Sequence, residues 1–112
     1  MQYLPFNLCQ IIDGKRFDTG NAQELGYYRE GHLSDFNFIE EALLQTWKTK
    51  KFFLAGRGGA KTRYAEDLGP GEGKCRGKRI FPLTDKEAFE WAQQNLDTDE
   101  VEEIFGDMIE DA

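Results

Sequence analysis

The chain is poor in the residues from which disulfide scaffolds and metal sites are built. Its 112 residues include two cysteines and one histidine. Cys9 and Cys75 have neither the close spacing of metal ligands nor the dense, even spacing of a secreted disulfide framework. A zinc site would have to collect His32, both cysteines and a carboxylate from three separate segments. The sequence therefore predicts free thiols, no metal site and no cofactor.

Long apolar runs are absent as well. No stretch approaches the roughly 20 consecutive apolar residues of a membrane-spanning helix. The residues that follow Met1 lack the basic segment and the small-residue cleavage site of a secretory signal peptide. These absences predict a cytoplasmic protein that does not enter a membrane.

Signatures of catalysis are also missing. His32 lies between glycine and leucine, with no serine, cysteine or aspartate that its context pairs with it. No carboxylate is marked by its neighbours as buried beside a charge, which is what shifts a carboxyl pKa toward a catalytic value. The string AGRGGAKT at residues 55–62 ends like a phosphate-binding loop, but Ala55 and Ala60 stand where that motif needs glycine. We therefore predict no catalytic residues and no enzymatic activity.

What the chain does contain is enough apolar and aromatic residues to build a core. Hydrophobic residues make up 39% of the sequence and aromatic residues 13%, whereas disordered chains are depleted in both. The length is typical of one domain, so residues 1–112 are expected to share one core.

Turn and capping signals divide the first half of the chain. Asp13-Gly14 favours a two-residue turn between short runs at residues 10–12 and 15–18. Asp18 or Thr19 could then cap a short helix over residues 22–25. Residues 36–54 predict a second hairpin, with aromatic and apolar runs on either side of a KTKK segment. Residues 39–47 also show helical spacing, but a strand is favoured because residues 51–54 need a neighbour to pair with.

The second half begins with a glycine-rich basic segment and ends in helices. Residues 55–79 hold seven glycines and one proline, which predicts an exposed loop with one helical turn near residues 62–67. Residues 80–83 predict a short edge strand that ends at its proline. Thr84 and Glu87 form a capping box for one helix, and residues 97–100 repeat the signal for another. Apolar spacing places Trp91 on the buried face of the first helix and residues 101, 104, 105 and 108 on that of the second. The predicted fold is α+β, a small antiparallel sheet of hairpins with a C-terminal acidic helical hairpin.

Charge is distributed unevenly along the chain. Residues 84–112 carry eleven acids and one lysine, for a net charge of −10. Residues 1–83 carry ten acids and thirteen bases, for a net charge of +3. Ten of those bases lie in residues 48–79. The molecule is therefore expected to be bipolar.

The acidic helices suggest a binding surface. Carboxylates along a helix can occupy the arginine and lysine contacts that a protein offers to a nucleic-acid backbone. A merely solubilising face is the alternative. The candidate partner-binding residues are Glu87, Glu90, Asp97, Asp99, Glu100, Glu102 and Glu103.

The basic segment at residues 55–79 suggests a second, competing function. Its cations could bind nucleic acid or a phosphate ligand, although the acidic helices would repel a polyanion. The alternative contact residues are Arg57, Lys61, Arg63, Arg76, Lys78 and Arg79. An exposed apolar edge at residues 52–54 would also be compatible with a homodimer.

Several strings occur together in a familiar set. They are IDGKRFDT at residues 12–19, DF at 35–36, FFLAGRGG at 52–59, YAE at 64–66, and IFPLTDKEA at 80–88 followed by Trp91-Ala92. The set resembles a widespread, largely uncharacterised family of small acidic proteins of bacteria and their mobile elements. The resemblance covers the chain from about Ile11 onward and implies neither an activity nor catalytic residues.

Small acidic proteins of phages and mobile elements include anti-CRISPR and anti-restriction inhibitors, several of which occupy nucleic-acid sites on their targets. By that analogy we expect an interaction protein that binds a host protein or ribonucleoprotein complex, such as a CRISPR effector, through its acidic surface.

Overall fold

The computed structural model describes residues 2–112 and shows an α+β protein. The strands in that range are β1 (Cys9–Ile12), β2 (Lys15–Asp18), β3 (Ala22–Glu30), β4 (Ile39–Thr46), β5 (Phe52–Gly58), β6 (Glu66–Asp67), β7 (Lys74–Cys75) and β8 (Gly77–Leu83). The helices are α1 (Asp85–Asn95) and α2 (Thr98–Phe105). The predicted fold class is thereby confirmed.

The central sheet is antiparallel and has four strands in the order β3-β4-β5-β8. Strands β1 and β2 form a separate hairpin, and β6 and β7 form a short one within the glycine-rich segment. The sheet leaves β3 and β8 as its edges, while β4 and β5 have a strand on both sides.

Both faces of the sheet are covered, so the molecule has three layers. The inner strands are largely buried on both faces, as expected for strands with packed layers above and below. Helices α1 and α2 cover one face, and their cluster consists of Leu43, Phe52, Leu54, Ala88, Trp91, Ala92, Val101 and Phe105. The β1–β2 hairpin covers the other face, and its cluster consists of Phe17, Ala22, Ala42, Leu44, Phe53, Ala55 and Ile80.

Local signals in the sequence determine the hairpins and the helix ends. Asp13 and Gly14 have φ of 52° and 77°, the left-handed pair that a two-residue hairpin turn requires. Both predicted capping boxes are present, at Thr84 before α1 and at Asp97 before α2. The predicted hairpin over residues 36–54 is confirmed as β4 and β5.

The helix predicted over residues 22–25 is wrong, because these residues begin strand β3. Ala22 lies opposite Thr46 in the pairing of β3 with β4. Asp18 caps a 3-10 turn over Thr19–Asn21 instead, accepting a hydrogen bond from the Gly20 amide at 2.9 Å. The need of β4 for a second neighbour outweighs the local capping signal. The helical alternative for residues 39–47 is also wrong, because Ile39–Thr46 pairs with β3 on one side and with β5 on the other.

The prediction of one exposed loop over residues 55–79 is wrong at both ends, where β5 and β8 extend into it. Several of its glycines are needed for close packing. A Cβ on Gly56 would lie 2.6 Å from Cζ of Tyr64 and 2.7 Å from the Glu40 carbonyl oxygen. Tyr64, in the middle of the segment, is fully buried. Residues 62–65 form a turn, and the predicted helical turn near residues 62–67 is absent there.

Two further predictions about apolar residues fail. Residues 52–54 lie in the interior strand β5 and are buried, so they offer no exposed edge to a second copy. Met108 lies beyond the end of α2 and is 43% exposed rather than packed inward.

Candidate functional site

Three of the seven predicted partner-binding acids are held in the helix caps. Glu87 accepts a hydrogen bond from the Thr84 amide at 2.9 Å, and its own amide donates to the Thr84 hydroxyl at 3.1 Å. The bonds with the backbone and side chain of Thr84 lower the pKa of Glu87. Asp97 and Glu100 make the equivalent pair at α2, where the Glu100 amide donates to Asp97 at 2.9 Å. These carboxylates fix the helix starts.

The other four acids are exposed on the outer side of the helices. Val101 and Phe105 face the sheet, which turns the opposite side of α2 toward solvent. Residues three and four apart on a helix are neighbours about 5–6 Å apart, so the α2 carboxylates form one group. These four residues are Glu90 on α1 and Asp99, Glu102 and Glu103 on α2. We call the seven acids together the acidic layer.

A groove next to the acidic layer adds a carboxylate that the sequence did not identify. It lies between α2 and the edge strand β3, has a volume of about 360 Å³, and brings Glu24 together with Glu100 and Glu103. Leu25 and Ile104 supply apolar walls. Glu24 lies far from the acidic C-terminal region in sequence. Only the packing of α2 beside β3 in the folded protein places this carboxylate next to Glu100 and Glu103.

The acidic layer is not neutralised from within. In the part of the chain that the structure describes, the one ion pair joins Arg57 to Glu40 at 2.8 Å. None of the acids of α1 and α2 takes part in it. After the bonds to Thr84, the charge of Arg63 also helps to lower the pKa of the Glu87 carboxyl, but the two residues form no ion pair.

The basic residues form a row across the sheet instead of one loop surface. Arg29 lies opposite Glu40, Glu40 opposite Arg57, and Arg57 opposite Lys78. Residues that lie opposite each other in an antiparallel sheet point to the same face. We call these four residues, three cations with the carboxylate of Glu40 among them, the cationic row. The row lies on the hairpin side of the sheet, beyond the cluster that β1 and β2 cover.

Buried Glu40 orients the row. It is 2% exposed and accepts from Nε of Arg57 at 2.8 Å and from the Tyr27 hydroxyl. Burial and the bond to Glu40 raise the pKa of Tyr27 to about 12. Two polar partners thus satisfy the carboxylate, as a buried charge requires.

Two aromatic rings lie between the cations of the row. Phe38 has Arg29 at 5.3 Å and Arg57 at 5.9 Å from its ring centroid. Phe6 has Arg57 at 5.4 Å and Lys78 at 4.8 Å. All four distances fall within the range of cation–π attraction. The row is therefore fixed by stacking as well as by the ion pair.

A cavity of about 310 Å³ opens beside the row, at the end of β5 and the start of β8. Arg57, Arg76 and Lys78 contribute positive charge to it, against one carboxylate, Glu66. The remaining lining residues are Leu33, Phe38, Gly58, Gly59 and Gly77.

The structure divides the six predicted basic contact residues into separate groups. Arg57, Arg76 and Lys78 meet at the cavity. Arg63 and Arg79 stack on Phe81 at 4.3 and 5.7 Å, and Phe81 packs against the helix-side cluster. Lys61 is exposed and lines no part of that cavity.

Sequence reasoning missed four residues at the cationic row, because only the folded sheet and the segments beside it bring them together. They are Phe6, Arg29, Phe38 and Glu40. Alternation along the strands could have suggested Arg29 and Glu40, whereas Phe6 and Phe38 lie outside the strands, where no such signal exists.

A second buried carboxylate connects the sheet, the glycine-rich segment and helix α1. Glu41 is 4% exposed and accepts from the Tyr64 hydroxyl and from Nε1 of Trp91, both at 2.7 Å. Burial and the neighbouring Glu41 raise the pKa of Tyr64 well above its ordinary value. Because both donors are neutral and enclosed, we assign this network a structural role.

Residues 2–112 contain neither a membrane-spanning helix nor a cluster of metal ligands. No described helix is long and apolar enough to cross a bilayer. No group of three or more His, Cys, Asp or Glu side chains in that range could hold a metal ion. Cys9 and Cys75 are both free thiols. Comparison of the chain with family models, with curated proteins and with solved structures gave no match.

Proposed function

We propose that the protein is a non-enzymatic interaction protein whose acidic layer binds a basic surface of a host nucleic-acid-handling complex. A phage or mobile-element inhibitor of the anti-CRISPR or anti-restriction type would have this function. The observation that supports it is the absence of any ion pair to the acids of α1 and α2 within residues 2–112. Residues 84–112 therefore keep a net charge of −10 for an outside partner.

The rigidity of the acidic layer favours specific binding over simple solubility. Each helix begins at a complete capping box, and each packs its buried face onto the sheet. Carboxylates held on a rigid element lose little freedom when a partner binds, which leaves more of the interaction energy for affinity. A rigid field of one sign also steers a basic partner and speeds association.

The groove between α2 and β3 provides apolar contacts that charge alone does not. Leu25 and Ile104 line it between Glu24, Glu100 and Glu103. Specific interfaces combine a less polar centre with a polar rim. We place the centre of the interface at this groove, with Glu90, Asp99 and Glu102 around it.

Affinity capture from a bacterial lysate tests the proposal when it is run with and without nuclease. The expected result is recovery of a nucleic-acid-handling protein or ribonucleoprotein that survives nuclease and is identified by mass spectrometry. An excess of single-stranded oligonucleotide should elute that partner, because both ligands compete for one basic surface. A partner lost on nuclease treatment, or one that no oligonucleotide displaces, would contradict the proposal.

A further inference from the structure

The cavity at the end of β5 and the start of β8 is positive in a protein whose overall charge is negative. The chain carries a net charge of −7, yet Arg57, Arg76 and Lys78 line this cavity against Glu66. With the Arg57–Glu40 ion pair counted, the cations still exceed the carboxylates by one. The acidic layer is carried by α1 and α2, on the opposite face of the sheet from the cationic row. The cavity is therefore a positive region on the side of the sheet away from the acidic layer.

We propose that this cavity binds a small organic phosphate. Arg76, Lys78 and Arg57 contact the phosphate, and Leu33 contacts the apolar body of the ligand. Arg76 and Lys78 are exposed at the rim. Leu33 is apolar and yet 46% exposed. A cationic group beside an exposed apolar side chain matches a ligand with one charged end and one apolar end.

Arg57 is set in place before any ligand arrives. Glu40 engages its Nε and Nη2, both at 2.8 Å, which leaves Nη1 on the side away from that carboxylate. Phe6 and Phe38 stack against the guanidinium. A guanidinium fixed in this way loses little side-chain freedom on binding a phosphate.

The size of the cavity argues for an organic ligand. Its volume of about 310 Å³ lies at the lower end of the range for small-molecule sites. An inorganic phosphate ion would leave most of that space empty and the Leu33 side chain without a contact.

The charge of the whole molecule argues against a nucleic-acid polymer as the ligand. Repulsion from the acidic layer grows with each phosphate of a polyanion, whereas a small ligand brings one or two charges. Arg63 and Arg79, which a longer strand would need, lie on the other face of the sheet against Phe81.

Titration of the ¹⁵N-labelled protein with a panel of ligands tests the proposal. The panel contains adenosine 5′-monophosphate, uridine 5′-monophosphate, glucose 6-phosphate, adenosine, inorganic phosphate and a 5′-phosphorylated oligonucleotide. At least one organic phosphate should shift the amides of Gly58, Gly59 and Gly77 with a dissociation constant of about 1 mM or tighter. Adenosine should cause no shift, and inorganic phosphate should bind more weakly.

Charge reversal at the rim provides the matched test. Arg76→Glu with Lys78→Glu should weaken binding at least tenfold. Lys48→Glu with Lys51→Glu makes the same change of charge in the β4–β5 turn, at the far end of β5, and should leave binding unchanged. All four side chains are exposed, so folding should survive.

Three results would overturn the proposal. The first is that no organic phosphate of the panel gives saturable shifts. The second is that the two double variants lose equal affinity for the ligand. The third is that only the oligonucleotide binds. None of them bears on the acidic layer, because Glu102 and Glu103 line no part of this cavity.

Discussion

Removing one hydroxyl from the core should be costly in this protein. Tyr64→Phe deletes the donor that lies 2.7 Å from Oε1 of Glu41. Tyr64 is 0% and Glu41 4% exposed, so water cannot take the place of the lost hydroxyl. Nε1 of Trp91 already donates to the other carboxylate oxygen and cannot serve both.

The magnitude follows from the charge and burial of the acceptor. A hydrogen bond to a buried charged group contributes about 1.5–3 kcal/mol. For a chain of this size each kcal/mol lowers Tm by about 4 °C, so Tyr64→Phe should lose about 6–12 °C. Urea unfolding followed by circular dichroism measures the free energy, and far-ultraviolet spectra of the two folded proteins should agree.

A double-mutant cycle assigns the loss to the pair. Glu41→Gln keeps the shape of the side chain, and the Tyr64 hydroxyl can turn to accept from the new amide. Tyr64→Phe and Glu41→Gln should therefore be non-additive by about 1 kcal/mol. A Tyr64→Phe cost below about 0.5 kcal/mol, the usual range for surface substitutions, or strict additivity would refute the reasoning.

Three more outcomes follow from the same contacts. The folded pKa of Tyr64 is raised above 10.0, so its contribution to stability is complete below that pH and is lost above it by about 1.4 kcal/mol per pH unit. Tyr27 also has a raised pKa and contributes to both proteins, so urea titrations above pH 10 should show a slope that is steeper in the wild type than in Tyr64→Phe by about 1.4 kcal/mol per pH unit. Gly56→Ala should destabilise by about 1–3 kcal/mol, because its Cβ meets backbone as well as a ring, while Gly106→Ala, with nothing within 4 Å, should be neutral in the same unfolding assay. The bonds to Thr84 lower the pKa of Glu87, so its ionised carboxylate stabilises α1 above pH 4.5 and this contribution is lost as pH falls through the folded value. Thr84→Ala removes the hydroxyl but keeps the backbone amide that donates to Glu87, so it should raise that pKa only part of the way in a carboxyl NMR titration; a pKa at its ordinary value would contradict the assignment of the backbone bond as the main cause.

Short-range signals in the sequence predicted those parts of the fold that short-range physics determines. The Asp13-Gly14 turn and the Thr84 and Asp97 caps each depend on a few consecutive residues, and each is present. The helix predicted over residues 22–25 was wrong because the pairing of β3 with β4 outweighs a local capping signal. The glycines at Gly56 and Gly77 were misassigned to a loop, because close packing against Tyr64 is invisible in sequence.

The same distinction applies to the candidate sites: one is contiguous in sequence, and the other is assembled by the fold. The acids of α1 and α2 are contiguous in sequence, so composition alone identified them. The cationic row unites residues as far apart in sequence as Arg29 and Lys78, through three strand pairings. The burial of Glu40 and Glu41 was not predicted either. Adjacent positions on a strand face opposite sides of the sheet, and both sides of β4 are covered, so both carboxylates are buried.

Charge reversal within the acidic layer tests the central claim most directly. Glu102 and Glu103 are exposed, lie outside both capping boxes and occupy the last turn of α2, where lysine is favoured by the helix dipole. Glu102→Lys with Glu103→Lys should therefore fold normally. Asp67→Lys with Glu72→Lys makes the same change of charge at the exposed β6–β7 hairpin and serves as the control.

The measurement is recovery of the nuclease-resistant partner by each variant in parallel captures. The account predicts at least a tenfold loss for Glu102→Lys with Glu103→Lys and recovery near wild type for the control pair. Equal recovery by both variants would contradict the claim that the acidic layer binds the partner.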